Sequence, residues 1–164
     1  MRYFAYGSNM SLPRLRQRIP EVVRIGRFIL AEHSLRFHKI SCRDGSAKCD
    51  AYSTGHPEDQ VIGIVFEIDA AAKPVLDAYE GLHHGYEEKT VIVMGPEQQS
   101  VEAFMYYATH IDSSLKPYSW YLQHVLMGAT DCEFPPDYIE KLHTIATMED
   151  TDWQRDAAER AIYR

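Results

Sequence analysis

The sequence predicts an α+β fold, formed by a single domain over residues 1–164, whose strands are numerous enough to curl into a small barrel. Segments of strand character fill most of the first two thirds, and helical segments fill the last third. This order lacks the regular alternation of strand and helix that builds a parallel sheet. No repeat, low-complexity segment or Pro/Gly/Ser-rich linker divides the chain. Its 164 residues suffice for one domain with a substantial core.

Strands are predicted where β-branched and aromatic residues concentrate between polar turns. The predicted strands are residues 2–6, 27–31, 35–40, 48–53, 61–68, 88–93 and 101–107. Segment 61–68 (VIGIVFEI) is almost wholly apolar, which predicts a strand buried on both faces. Seven strands are enough to curl into a small barrel.

Helices are predicted where a capping residue or a proline precedes apolar residues at helical spacing. The predicted starts are Ser11, Asp69, Pro117, Pro136 and Asp152, and the predicted stops of the first three helices are Pro20, Gly81 and Gly128. Arg14, Arg16 and Arg18 are interpreted as the solvated face of the first helix, with Arg14 kept as a distant candidate for binding a carboxylate.

The charge and cysteine content restrict the class of protein. A formal net charge of −7, from 24 acidic and 17 basic residues, argues against a broad nucleic-acid or anionic-membrane surface. No apolar run approaches the roughly 20 residues that span a bilayer. Cys42, Cys49 and Cys132 are irregularly spaced and form no disulfide framework. We therefore expect reduced thiols, a cytoplasmic location and neither nucleic acid nor membrane as partner, and we retain a homodimer as an option.

The first candidate site is the turn that ends the opening segment MRYFAYGSNM. Gly7 permits a positive φ or a close backbone approach, and Ser8 and Asn9 are turn formers. Successive backbone N–H groups beside a helix N-terminus could hold an anion or a developing oxyanion. An ordinary strand-to-helix turn is the alternative. Ser8 lacks the G-x-S-x-G context of a hydrolase nucleophile, so a serine hydrolase is a weak hypothesis.

The second candidate is Glu80, at the predicted C-terminus of its helix. The negative end of the helix dipole disfavours its ionised form, which suits a group that takes up a proton and later returns it. A solvated glutamate at a helix end is the alternative. His83 and His84 are adjacent and lack an H-E-x-x-H spacing, and the Cys42–Cys49 spacing lies outside that of zinc ligands, so no metal site is expected.

These separate signals together resemble the γ-glutamylcyclotransferase family. The segment Tyr3–Met10 is similar to its Y-G-S-N substrate loop, and Leu76-Asp77-x-x-Glu80-Gly81 to its catalytic-glutamate segment. Tyr106 falls where the family has a substrate-contacting tyrosine. The tail is also similar, with Gly128-Ala129 followed by Pro135-Pro136-x-Tyr138. The resemblance runs from residue 3 to about residue 146, although His83-His84 is not part of the family pattern.

The resemblance implies a small mixed β-barrel, flanked by helices, that converts a γ-glutamyl compound, such as an L-γ-glutamyl-amino acid, into 5-oxoproline and the released amine. Glu80 would be the catalytic acid/base, and the substrate-binding residues would be Tyr3, Phe4, Ala5, Tyr6, Gly7, Ser8, Asn9 and Tyr106. The small γ-glutamyl substrate is the expected partner, and no cofactor is expected, since the substrate's own α-amine is the nucleophile. Two alternatives stay open: a cyclotransferase for γ-glutamyl-amines or for a γ-glutamyl-protected biosynthetic intermediate, and a non-catalytic small-ligand-binding member of the fold.

Overall fold

The computed structural model describes every residue from Met1 to Arg164 and contains seven strands and five α-helices. The strands are β1 (Arg2–Ala5), β2 (Val23–Ala31), β3 (His33–Ile40), β4 (Ala47–Ser53), β5 (Gln60–Glu67), β6 (Tyr86–Met94) and β7 (Ser100–Ala108). The helices are α1 (Leu12–Arg18), α2 (Lys73–Glu80), α3 (Ser119–Asp131), α4 (Pro136–His143) and α5 (Trp153–Ala161). No helix combines the length and the apolar character that crossing a bilayer requires.

Five of the strands close into a barrel in the order β1-β5-β2-β6-β7. The closing pair, β1 and β7, is parallel and the other pairs are antiparallel, so the barrel is mixed, as the family resemblance implies. Strands β3 and β4 form a separate hairpin. Within β5, the residues Val61–Phe66 are all buried, which confirms the strand predicted to be covered on both faces.

Several predicted helix ends are confirmed by their capping geometry. The Ser11 hydroxyl accepts a hydrogen bond from the backbone N–H of Arg14, and the Asp69 carboxylate caps a short 3₁₀ turn that leads into α2. Gly81 ends α2 in the left-handed conformation, with φ of 74°. Ser11 thus fixes the start of α1, and Asp69 and Gly81 bound the segment that contains α2. The site described below lies between these two helices.

The prediction that Gly128 stops a helix is wrong. Helix α3 begins at Ser119, two residues after the predicted start, and continues through Gly128 to Asp131. A Cβ atom at position 128 would lie 2.4 Å from Cβ of Met10, so glycine is required there for close packing of α3 against the turn after β1. The glycine is a contact point inside the helix and not its terminus.

Helix α5 buries no residue of its own and is attached by polar contacts. Glu159 pairs with Arg14 and lies 2.9 Å from Nε2 of His124, which is itself completely buried. Tyr163, just beyond the helix, lies 2.5 Å from Nδ1 of His124 and donates a hydrogen bond to Ser11. Burial lowers the pKa of His124 to about 4. Burial opposes ionisation of Glu159, but its contacts with His124 and Arg14 hold its pKa at about 2.

We expect the free energy of unfolding to fall by about 2 kcal/mol between pH 7 and pH 5 because of His124. The pKa of His124 is about 4 in the folded chain, against 6.5 for a histidine in an unfolded chain, so the unfolded chain takes up the proton first. This stabilisation is present above pH 6.5 and is lost as the pH falls toward 4. Urea unfolding across this pH range measures it.

In this titration, His124→Asn should show a flatter dependence of unfolding free energy on pH than the natural chain. His143→Asn removes an exposed histidine of α4 and should leave the dependence unchanged. Parallel pH profiles for the natural chain and His124→Asn would contradict the assignment.

Candidate functional site

The turn after β1 is built to approach a neighbouring strand closely. Gly7 has a φ of −117°, so the positive φ that the sequence allowed is not what this position uses. A Cβ atom there would lie 2.9 Å from Cβ of Cys49 on β4 and 3.2 Å from the Tyr121 hydroxyl. The backbone N–H of Gly7 has no acceptor within the chain. Glycine thus lets the turn lie against β4, and it leaves a free donor in a cavity.

Glu80 lies opposite this turn, at the C-terminal end of α2. Its Oε1 atom accepts hydrogen bonds from Nδ2 of Asn9 at 2.9 Å and from Nη1 of Arg18 at 2.7 Å. Arg18 also donates to Oδ1 of Asn9, and Asn9 Nδ2 lies 2.9 Å from the Tyr3 hydroxyl. The Glu80 side chain is 16% exposed. The turn and the glutamate, separated in sequence by 71 residues, therefore form one hydrogen-bonded unit.

The partners of Glu80 also correct the interpretation of the first helix. Arg18 is only 12% exposed in its side chain and Arg14 is buried, so neither belongs to a solvated face. The second oxygen of Glu80, Oε2, makes no hydrogen bond within the chain. The Glu80 carboxylate is therefore fixed in place through Oε1, and its Oε2 atom is available to a ligand.

A small cavity joins the two segments. It is lined by Tyr3, Tyr6, Gly7, Ser8, Asn9, Cys49, Glu80, Tyr86, Tyr106 and Tyr121. The Tyr106 hydroxyl donates to Oδ1 of Asp77 at 2.5 Å, and the Tyr6 hydroxyl donates to the backbone oxygen of Tyr106 at 2.6 Å. Burial, followed by the contact with Asp77, raises the pKa of Tyr106, and burial raises that of Tyr3. Both phenols therefore stay neutral and can donate or accept hydrogen bonds.

Six of the eight predicted substrate-binding residues line this cavity: Tyr3, Tyr6, Gly7, Ser8, Asn9 and Tyr106. Phe4 and Ala5 do not line it, and their contact with substrate stays a prediction. Phe4 is completely buried in the core, where a Cβ at Gly63 would lie 2.5 Å from its ring. Alternation along β1 sends the Phe4 side chain away from the cavity that Tyr3 lines.

Two polar residues that hold the site were not predicted from the sequence. Arg18 fixes Glu80, and Asp77 accepts the hydrogen bond of Tyr106. A signal for Asp77 was available, because it precedes Glu80 by three residues in a predicted helix and therefore lies on the same side. Arg18 offered no such signal, since nothing in the sequence places the end of α1 beside the end of α2.

No histidine lines this small cavity. No histidine hydrogen bond involves Ser8, which removes the serine-hydrolase alternative because the serine has no general base. The His83 side chain is 71% exposed and pairs with Glu87. No group of three or more His, Cys, Asp or Glu side chains is arranged to hold a metal ion.

A wider cleft of about 400 Å³ opens beside the small cavity and shares Ser8, Glu80, Tyr86 and Tyr121 with it. The remaining walls come from the β3–β4 hairpin, from α1, α2, α3 and α5, and from the connection between α2 and β6. The small cavity could enclose one end of an elongated ligand and the cleft the other, with Glu80 at the junction.

The fold and the site together define a class: small closed-barrel proteins in which a glycine-containing turn after the first strand faces a held carboxylate. The chain belongs to the AIG2-like family, whose family model matches residues 60–142. That range includes Glu80 and Tyr106 and ends before the last helix. The resemblance predicted from the motifs is thereby confirmed at the level of family.

Individual relatives agree with this assignment. The chain is 29% identical to a γ-glutamylcyclotransferase from Bos taurus over 146 residues, which cover 87% of this chain and 77% of the relative. A solved structure described as a γ-glutamyl cyclotransferase is similar with a TM-score of 0.86 and 25% identity, covering 98% of each chain. An uncharacterized human protein gives a TM-score of 0.88 with 27% identity, covering 99% of this chain and 98% of the human one.

Proposed function

We propose that this protein is a γ-glutamylcyclotransferase, which converts an L-γ-glutamyl-amino acid into 5-oxoproline and the free amino acid. The observation that carries the proposal is the Glu80 carboxylate, held through Oε1 by Asn9 and Arg18 while Oε2 is free beside an aromatic cavity. The similarity to relatives that are named γ-glutamylcyclotransferases supports the same conclusion.

The reaction is an internal transfer of an acyl group. The α-ammonium of the substrate loses a proton to Glu80, and the resulting amine attacks the γ-carbonyl carbon to close a five-membered ring. In the tetrahedral intermediate the ring nitrogen still carries two hydrogens. As the bond to the leaving nitrogen breaks, Glu80 returns its proton to that nitrogen, and the ring nitrogen gives its extra proton to the departing amine, so that the products are 5-oxoproline and the amino acid with a protonated amino group. Because the substrate supplies its own nucleophile, the protein must provide only folding of the substrate, proton transfer and stabilisation of the oxyanion.

The site offers a group for each of these tasks. The free N–H of Gly7 is a donor for the developing oxyanion or for the glutamyl carboxylate. The phenols of Tyr3 and Tyr106 line the cavity that would enclose the glutamyl part. Arg18 and Asn9 hold Glu80 through Oε1, which leaves Oε2 to accept the proton. The bent conformation of the bound substrate supplies the proximity that a free substrate lacks.

The alternative of a non-catalytic binder gains some support from the Arg18–Glu80 ion pair, since a structural salt bridge also explains a buried glutamate. The enzyme is favoured because a binding site for an anionic γ-glutamyl group gains nothing from a second carboxylate in the cavity, whereas proton transfer requires one. A cyclotransferase for γ-glutamyl-amines would use the same residues and would differ only on the side of the leaving group.

The test uses a panel of γ-glutamyl-amino acids and γ-glutamyl-amines. Chromatography measures the 5-oxoproline that the protein releases from each compound. Turnover of the amino-acid conjugates would support the proposal. Turnover of the amines alone would favour the first alternative, and binding without product from any compound would favour the second.

A further inference from the structure

The wider cleft beside Glu80 carries an excess of positive charge in a chain whose net charge is −7. The cations that line it are Arg14, Arg18, Lys39, Arg43, Lys48 and Arg155, and the anions are Asp44, Glu80 and Glu159. A local excess of this sign attracts anionic ligands and aligns them with the cleft.

Most of these cations already have a partner within the chain. The paired cations are Arg14 with Glu159, Arg18 with Glu80, Lys48 with Asp44, and Arg155 with Asp150. Arg43 has none and is exposed. Lys39 also has none: it forms no salt bridge, its Nζ makes no hydrogen bond within the chain, and yet only 5% of the residue is exposed. Lys39 is therefore a largely buried side chain whose ammonium group lines the cleft and has no anionic partner.

Local structure directs Lys39 into the cleft. A shift of register between Phe37 and Lys39 interrupts the β3–β4 hairpin, and beyond it Lys39 lies directly opposite Lys48. The two lysines therefore share a face of the hairpin. Nζ of Lys39 lies 4.5 Å from the centre of the Tyr86 ring. A Cβ atom at Gly85 would lie 3.3 Å from Nζ, so glycine at that position makes room for the ammonium.

This arrangement is unfavourable in the empty protein. Lysine is rarely buried to this extent without a partner, and like charges opposite each other on a sheet destabilise it. Burial lowers the pKa of Lys39 for the same reason. The Tyr86 ring offsets only part of the cost. An anion that enters the cleft would complete the pairing, and Tyr86 connects this position to the cavity of Glu80, because it lines both.

We propose that Lys39 binds a carboxylate on the leaving-group side of the substrate, and that this contact selects γ-glutamyl compounds whose released amine bears an acid group. The inference rests on the proposed function, which places the glutamyl part in the small cavity and the leaving group in the wider cleft. Lys39 is a specificity-determining residue in this arrangement and takes no part in proton transfer.

The experiment compares two substrates that differ only in the carboxylate, γ-glutamyl-alanine and γ-glutamyl-ethylamine. A hydrogen bond to a charged group corresponds to a preference for γ-glutamyl-alanine in kcat/KM of roughly 10- to 100-fold. Lys39→Met retains an unbranched apolar side chain and should reduce this preference to near one, mainly through KM for γ-glutamyl-alanine. Lys39→Arg should restore most of it. Lys89→Met, which removes a partly buried lysine of β6 outside the cleft, should retain it.

Two results would overturn the assignment: no preference in the natural chain, or an equal loss for both substrates in Lys39→Met. Calorimetric binding of the same two compounds to Glu80→Gln, with and without Lys39→Met, separates this inference from the proposed function. A carboxylate preference in binding that depends on Lys39, without turnover by the natural chain, would support the Lys39 contact and contradict the cyclotransferase.

Discussion

Replacing Glu80 by glutamine is expected to lower kcat for 5-oxoproline formation by roughly 10²- to 10⁴-fold, the usual contribution of a positioned acid/base. The amide oxygen of glutamine can still accept the hydrogen bonds that Asn9 and Arg18 donate to Oε1. The variant should therefore fold and bind substrate, and the lost function is proton transfer alone. The measurement is the steady-state rate of 5-oxoproline release from the best substrate of the panel.

Glu102→Gln is the matched control, because Glu102 is an exposed glutamate on β7 outside both cavities. It should retain the rate of the natural chain. A Glu80→Gln variant that keeps more than a tenth of the rate would show that another group transfers the proton. A variant that loses its rate together with its cooperative thermal unfolding would show instead that the glutamate is needed for the fold.

The predictions that held were those in which local chemistry decides the structure. The β5 segment is apolar at nearly every position, and a strand with this composition is stable only when both faces are covered. Ser11, Asp69 and Gly81 satisfy or end a helix through their own side chain or backbone conformation, so their roles need no distant partner. Strand boundaries were less well predicted: β2 begins at Val23, four residues before the predicted start.

The residues of the candidate site likewise fall into those that the sequence predicts and those that it does not. The two sequence motifs and their order along the chain were enough to identify Asn9 and Glu80 as site residues. A hydrogen bond joins these two side chains in the structure. Their connection through Arg18 depends on how α1 lies against α2, and this packing is a property of the whole barrel. Lys39 was missed for a related reason: the register shift that directs its side chain into the cleft leaves no mark in the sequence. The contacts that the sequence does not predict are those set by helix packing and by strand register.

Gly128→Ala is expected to destabilise the protein by about 1–3 kcal/mol, the usual cost of overpacking a filled interior. Helix propensity alone predicts the opposite sign, because alanine in place of glycine stabilises a helix interior by roughly 0.5–1 kcal/mol. Steric contact should decide, since the added Cβ would lie 2.4 Å from Cβ of Met10 and 2.5 Å from its backbone carbon. Urea unfolding at neutral pH measures the sign and the size of the change.

The Thr130→Ala variant distinguishes the effect of helix propensity from that of packing. Thr130 is an exposed residue of the same helix, so its replacement changes helix propensity without changing a buried contact. Its unfolding free energy should stay within about 0.5 kcal/mol of the natural value. Met10 follows Asn9 directly, so the shift that Gly128→Ala forces on the turn should also raise KM, whereas Thr130→Ala should not. A stabilised Gly128→Ala variant with unchanged KM would mean that α3 can move away from the turn without disturbing Asn9. In that case the close contact between α3 and Met10 would not be what positions the candidate site.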